Sequence, residues 1–190
     1  MTRITDAVVE FMVRRSRAAY TPLHIGGAIL IGSSLELGVI PLVLVGGGTY
    51  VDGALHLRPL VQHGNAHLFA LLCFLIGVPW LAIAIYWQHR RGDGTPFPLV
   101  PTKRLLTDGP YRFCRNPMAL GAICWLAGWA FVANSPTALY GGVGAFAAAI
   151  LSYHKLIEEH ELERRFGAHY RRYKQRTPFL IPMKRRRGDH

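Results

Sequence analysis

Two apolar runs decide what this chain can fold into. Residues 23–45 contain one charged side chain, Glu36, and residues 67–87 contain none. Each is long enough to cross the ~30 Å hydrocarbon core of a bilayer as a helix. Composition agrees: 51% of the 190 residues are hydrophobic and only 17% are charged. A membrane protein reaches that balance by confining charge to its loops, and a soluble domain of this size rarely does. Pro79 predicts a kink in the second run, and Trp80, Tyr86 and Trp87 suit an aromatic belt. Two shorter runs, 118–133 and 137–153, are joined by the tight turn Asn134-Ser135-Pro136 and predict an antiparallel hairpin. The expected fold is an all-α integral membrane protein with about four transmembrane helices.

Amphipathic segments flank these runs. Within residues 4–20, Ile4, Val8, Phe11 and Met12 alternate with Arg14, Arg15 and Arg17, which predicts an amphipathic N-terminal helix on a membrane surface or a plain helix cap. With Asp6, Glu10 and four arginines, that segment lacks the layout of a cleavable signal. Residues 154–176 predict a charged C-terminal helical segment, with Leu162, Phe166, Tyr170 and Tyr173 on one face and a break at Gly167. Residues 178–182 read as an extended tail, and residues 184–187 as a basic cluster. Residues 46–64 read as a glycine-rich polar loop, and 88–115 as a long basic loop whose prolines resist helix. Arginine is concentrated in the N-terminal segment, the 88–115 loop and the C-terminal segment, so the positive-inside rule puts all three, and both termini, in the cytoplasm.

Lys+Arg number 22 against 11 Asp+Glu. Those cations flank apolar runs and cover no soluble face, which argues against a nucleic-acid partner and for anionic lipid headgroups. Cys73, Cys114 and Cys124 form neither a CxxC motif nor an even set. No HExxH, GxGxxG or Walker A motif is present, and no metal site is expected. Glu36 has two readings: a functional group inside the membrane, or a bond across a close helix contact made by Gly32, Ser33, Ser34 and Gly38.

The chemistry is expected around residues 107–121, TDGPYRFCRNPMALG. Asp108-Gly109-Pro110 is a turn signal. Pro117 fits the first turn of the helix that follows, with Asn116 as its N-cap. Arg112 and Arg115 beside free N–H groups make either an anion-binding helix start or a charged membrane-edge loop. On the same side of the membrane, His154, Glu158 and Glu161 share a helical face. With Glu159 they offer carboxylates to a zwitterionic, cation-bearing molecule, or else pair with Arg164 and Arg165 within the helix.

The segment GPYRFCRNPMALG, followed about forty residues later by EEHELERRFGAHYRRYKQRTPFLIP, resembles the isoprenylcysteine carboxyl methyltransferase / phospholipid methyltransferase family of membrane enzymes. The resemblance covers roughly residues 90–182. It implies a single domain over 1–190: an N-terminal helix (1–22), a transmembrane core (23–153) with a cytosolic loop (88–117), and a cytosolic tail (154–190) covering the cofactor. It further implies S-adenosylmethionine as methyl donor, and a membrane-embedded lipid or small hydrophobic acceptor. Lys103, Arg104, Leu105, Leu106, Tyr111, Arg115, Asn116, Pro117, Met118, Ala119, Glu158 and Glu159 are implied for the cofactor, with His154 and Glu158 in catalysis.

Three positions depart from the family pattern. Asn116 replaces a histidine and Ala119 a tyrosine. His154 replaces an arginine that faces substrate, which weakens a carboxylate-binding role and so a prenylcysteine acid as acceptor. The expected reaction is direct displacement of the methyl group, governed by alignment and exclusion of water. Two rivals stand beside this reading: an NADPH-dependent sterol-reductase-like membrane enzyme, whose C-terminal tail is similar, and a catalytically inactive membrane scaffold. The expected location is a prokaryotic inner membrane.

Overall fold

A computed structural model of the protein describes residues 3–16, 21–61, 63–92 and 102–183. The prolyl stretch at 93–101 and the basic cluster at 184–187 lie outside the described residues. Every regular element among the described residues is helical. The helices are α1 (Arg3–Ser16), α2 (Pro22–Ser34), α3 (Ile40–Ala54), α4 (His63–Arg91), α5 (Pro117–Val132), α6 (Gly144–Tyr153) and α7 (Glu159–Arg176). Three widened π-type turns link them: Leu35–Val39 fuses α2 to α3, Thr137–Val143 leads into α6, and His154–Glu158 fuses α6 to α7. Two stretches, Ile29–Ala54 and Gly64–Arg91, are long and apolar enough to cross a membrane, and α5 is a shorter apolar helix.

Residues 46–54 do not form the expected loop. The first span continues as α3 through Gly46-Gly47-Gly48 to Ala54. Packing overrides the weak helix propensity of glycine: at Gly48 a Cβ would stand 2.7 Å from the Ala138 Cβ, so the missing side chain lets the two segments touch. Near the end of α3, the Asp52 carboxylate accepts from the Ser135 hydroxyl and from the Thr137 amide at 3.1 Å. Ser135 Oγ in turn accepts from the Ala138 amide at 3.0 Å. A carboxylate from one helix therefore satisfies the orphan donors of another. Asp52→Ala should lower stability by about 1–2 kcal/mol, read as a lower thermal midpoint.

The expected hairpin forms. Asn134, at φ 51°, turns the chain after α5, and its side chain bonds Val61 through both N–H (3.2 Å) and C=O (2.9 Å). The helix that then begins does not stop at Tyr153; it runs on through the π-type turn into α7, with a kink at Gly167 (φ 52°, ψ −126°). The amphipathic α1 packs on α7 and on the His154–Glu158 turn. Val9 is fully buried there, and Arg164 bonds Asp6 at 2.7 Å.

The most extensive helix contact is between α4 and α5. It is a glycine seam. A Cβ on Gly77 would meet the Trp125 amide nitrogen at 2.7 Å, and one on Gly121 would meet the Leu81 amide nitrogen at 2.7 Å. Phe74, Trp125 and Trp129 fill the seam further along with ring centroids 5.2–5.7 Å apart.

Candidate active site

Four pieces of chain converge at the start of α5. The first is the 3₁₀ turn Gly109–Arg112. Gly109 has φ 58°, and the Trp87 ring occupies the space a side chain would need. The turn is held from α7, because the Tyr173 hydroxyl donates to the Tyr111 carbonyl at 2.7 Å. Burial pushes the Tyr111 and Tyr173 phenols well above their usual range, so both stay protonated.

The second piece is the C-terminal segment, which lies across the helix start as a strap. The Arg115 amide donates to the Pro178 carbonyl at 2.9 Å, and the Met183 amide to the Phe113 carbonyl at 3.2 Å. The Asn116 side chain makes no cap hydrogen bond to α5; its Nδ2 donates to the Phe179 carbonyl at 2.9 Å. Asn116 does stand at the N-cap position, where its carbonyl accepts from the Leu120 amide at 3.1 Å, but the bond of its side chain to the strap replaces side-chain capping of the helix. Phe179 lies between two cations, Arg115 at 5.4 Å and Lys155 at 5.3 Å from its ring centre.

The third piece is the charged stretch from the π-type turn into α7. Arg115 bonds Glu159 at 2.5 Å, with both side chains under a tenth exposed. Lys174 (2.7 Å) and Lys155 (3.5 Å) share the same carboxylate. Burial pushes the Glu159 carboxyl up, but the Lys174 hydrogen bond and the three cations outweigh it and hold it below the usual range. Glu161 bonds Arg165 at 2.7 Å, and burial outweighs that arginine to raise its carboxyl. Arg165 also donates to the Thr102 carbonyl, which fastens the fourth piece, the 102–108 loop, to α7. The in-helix pairing expected of the glutamates holds for Glu161 alone. Arg164 pairs with Asp6, and Glu158 bonds His154. Burial lowers the His154 pKa to about 4, against the pull of Glu159, so its ring is neutral at pH 7.

The 3₁₀ turn, the charged stretch and the 102–108 loop, with the start of α5, border a cavity of about 480 Å³ that no residue of the strap lines, within the usual size of small-molecule sites. Of the residues singled out in the sequence, Arg104, Leu105, Leu106, Tyr111, Arg115, Asn116, Pro117, Met118, Ala119, His154, Glu158 and Glu159 all line it. Lys103 does not; its side chain is exposed and only its backbone is engaged, the amide donating to the Gly92 carbonyl at 2.7 Å. Arg112 is also exposed, with its guanidinium 5.4 Å from the Phe113 ring centre. Sequence reasoning did not find Met12, Gln88, Phe146 or Ile150 in the wall. No motif marks them, and only the tertiary fold brings them in. Glu36 also lines the cavity, and its signal in the sequence is that it is the single charge in the first apolar run.

Arg115 Nε is buried and has no hydrogen-bond partner among the described residues. A buried donor left unmet costs free energy comparable to a lost hydrogen bond, and this one belongs to a side chain in the cavity wall. No curated protein and no solved structure matches the chain. The family described as phospholipid methyltransferase matches residues 65–169, a stretch that takes in α4, the 3₁₀ turn, all of α5 and α6, and the carboxylates of α7. Spanning more than half of the 190 residues, that match shows that the chain belongs to the phospholipid methyltransferase family, a family of methyltransferases.

Proposed function

We propose that the protein is an S-adenosylmethionine-dependent methyltransferase that acts on a membrane-embedded lipid or small hydrophobic acceptor. The observation that carries this reading is the convergence of the motif residues of a methyltransferase family on one ligand-sized cavity with an unmet guanidinium donor. The residues fit the cofactor. Arg115 Nε would donate to its carboxylate, and Glu158 would accept from its ammonium or ribose hydroxyls. Leu105, Leu106, Pro117 and Ala119 would provide apolar wall for the adenosine. When bound, S-adenosylmethionine supplies a methyl group made electrophilic by an adjacent sulfonium.

The chain's own residues supply alignment, dryness and a proton acceptor. The 178–183 strap, tied to residues 113–116, excludes water from the helix start. Neutral His154 uses Nδ1–H toward the Glu158 carboxylate, which leaves the Nε2 lone pair to accept a proton from the acceptor's nucleophile. The N-terminal segment (1–22), the core (23–153) and the tail (154–190) act as one domain. Four crossings, at 22–54, 63–91, 117–132 and 137–153, would place both termini and the site on the cytoplasmic face, the arrangement the arginine distribution favours.

Calorimetric titration with S-adenosylmethionine tests the reading. Wild type should bind, and Glu158→Gln should weaken binding about tenfold or more, which is 1.4 kcal/mol or more. A folded wild type that gives no binding would remove the methyltransferase reading for this chain, and heat on adding NADPH in its place would bring the reductase reading forward.

A further inference from the structure

Glu36 stands apart from every other carboxylate in the cavity. Glu159 is bound by Arg115 and Lys174, Glu161 by Arg165, and Glu158 by His154. Glu36 has no hydrogen-bond or ion-pair partner among the described residues, although it sits inside an apolar span and is half-buried. The expected bond across a close helix contact is not made: the neighbouring Gly38 has nothing within 4 Å of where its Cβ would be. An unpaired carboxylate in an apolar span is costly and needs a partner.

Local backbone and surroundings point the same way. Glu36 lies in the π-type turn Leu35–Val39, and His154 and Glu158 lie in another, His154–Glu158; both turns contribute to the wall of one cavity. Such turns displace side chains from the regular helical register and recur at functional sites. Leu35 and Ile40 from the same span, with Phe146 and Ile150 from α6, line the cavity as apolar wall. Of the guanidiniums in the wall, Arg165 is paired with Glu161, and Arg115 is paired with Glu159 through Nη1 while its Nε is assigned above to the carboxylate of the methyl donor. The cavity thus offers a free anion beside apolar surface. A ligand with an alkyl body and a cationic head matches that surface, and a carboxylate head does not.

We infer that Glu36 binds the amine-bearing head of the methyl acceptor, which arrives as the ammonium and gives one proton to His154 Nε2 so that its nitrogen lone pair is free to accept the methyl group, with the alkyl body against Phe146 and Ile150. Residue 36 lies outside the stretch matched to the family, so membership does not assign it this role. The inference rests on the methyltransferase reading above.

The test uses the full chain in lipid nanodiscs, with dodecylamine and dodecanoate as probes. Dodecylamine should raise the thermal midpoint of wild type and leave that of Glu36→Gln unmoved. Glu36→Asp should recover part of the shift, and dodecanoate should give none. In methylation assays, Glu36→Gln should raise the KM for dodecylamine about tenfold or more while the affinity for S-adenosylmethionine, titrated separately, is unchanged. That unchanged affinity also shows that the variant is folded. No amine shift in wild type, an equal shift in Glu36→Gln, or a shift with dodecanoate as large as with the amine would overturn the inference. An amine shift that depends on Glu36, in a protein that binds no S-adenosylmethionine, would overturn the acceptor assignment together with the proposed function, and the two titrations tell these cases apart.

Discussion

Glu159→Ala is expected to destabilise the protein by about 3–5 kcal/mol, the range for an ion pair broken from one side in a buried setting. Three cations converge on this carboxylate, but their exposures differ. The Arg115 side chain is 9% exposed, whereas those of Lys174 and Lys155 are 34% and 56% exposed. On loss of the carboxylate both lysines can turn to water, and the guanidinium cannot. Arg115→Ala should cost less, because Lys174 and Lys155 remain to neutralise Glu159. In the double variant no buried charge is left alone, so its loss should be smaller than the sum of the two single losses by about 1–3 kcal/mol. Thermal unfolding of the four proteins in one detergent would measure this cycle; additive losses would show that the pair is not coupled. The pH dependence has a defined sign. A carboxyl held below its ordinary value of 4.5 contributes stability above that value, and the contribution disappears as pH falls through the lowered pKa. Acidification below pH 4.5 should therefore narrow the gap between wild type and Glu159→Ala.

Much of this site was legible because its residues are local in sequence or carry helical spacing. The turn at Gly109-Pro110, the helix start at Pro117 and the shared face of His154, Glu158 and Glu161 needed no long-range knowledge, and each borders the cavity, the turn through Tyr111 alone. What could not be read is what is held at a distance. Asn116 takes the N-cap position that its place before Pro117 announces, yet its side-chain amide donates to Phe179, 63 residues away, and does not cap the helix. Glu159 looked like a partner for Arg164 or Arg165 in its own helix, yet its shortest bond is to Arg115, 44 residues away. Gly46-Gly47-Gly48 looked like a loop because propensity is a local quantity, whereas the contact of Gly48 with Ala138 that holds α3 helical belongs to the tertiary fold. α1 shows the same limit. Its periodicity announced an apolar face and could not say whether lipid or α7 would cover it.

Gly121→Ala should lower stability by about 1–3 kcal/mol, the usual cost of overpacking, and Gly121→Leu should prevent α4 and α5 from docking in their present register. The cause lies in what the added carbon would meet. At Gly121 the nearest atoms are the Leu81 amide nitrogen at 2.7 Å and the Gly77 carbonyl oxygen at 3.0 Å, and at Gly77 they are the Trp125 amide nitrogen at 2.7 Å and the Gly121 carbonyl oxygen at 2.9 Å. These are backbone atoms of two helices, so no side chain can swing aside and the helices themselves must part. Gly46→Ala is the contrasting case. It sits in α3 with nothing within 4 Å, and alanine is better tolerated there than glycine by roughly 0.5–1 kcal/mol, so its thermal midpoint should rise. The seam also bears on function, because α5 carries Pro117, Met118, Ala119 and Ala122 of the cavity wall, while Leu81 and Gln88 share α4. Parting the helices at Gly121 moves one wall against the other, and a displacement of that kind is enough to disturb alignment for methyl transfer. Gly121→Ala should therefore weaken S-adenosylmethionine binding as well as stability, whereas Asp52→Ala, which loosens the opposite end of α5, should affect stability alone. Equal loss of cofactor affinity in both variants would mean that the seam does not set the geometry of the site.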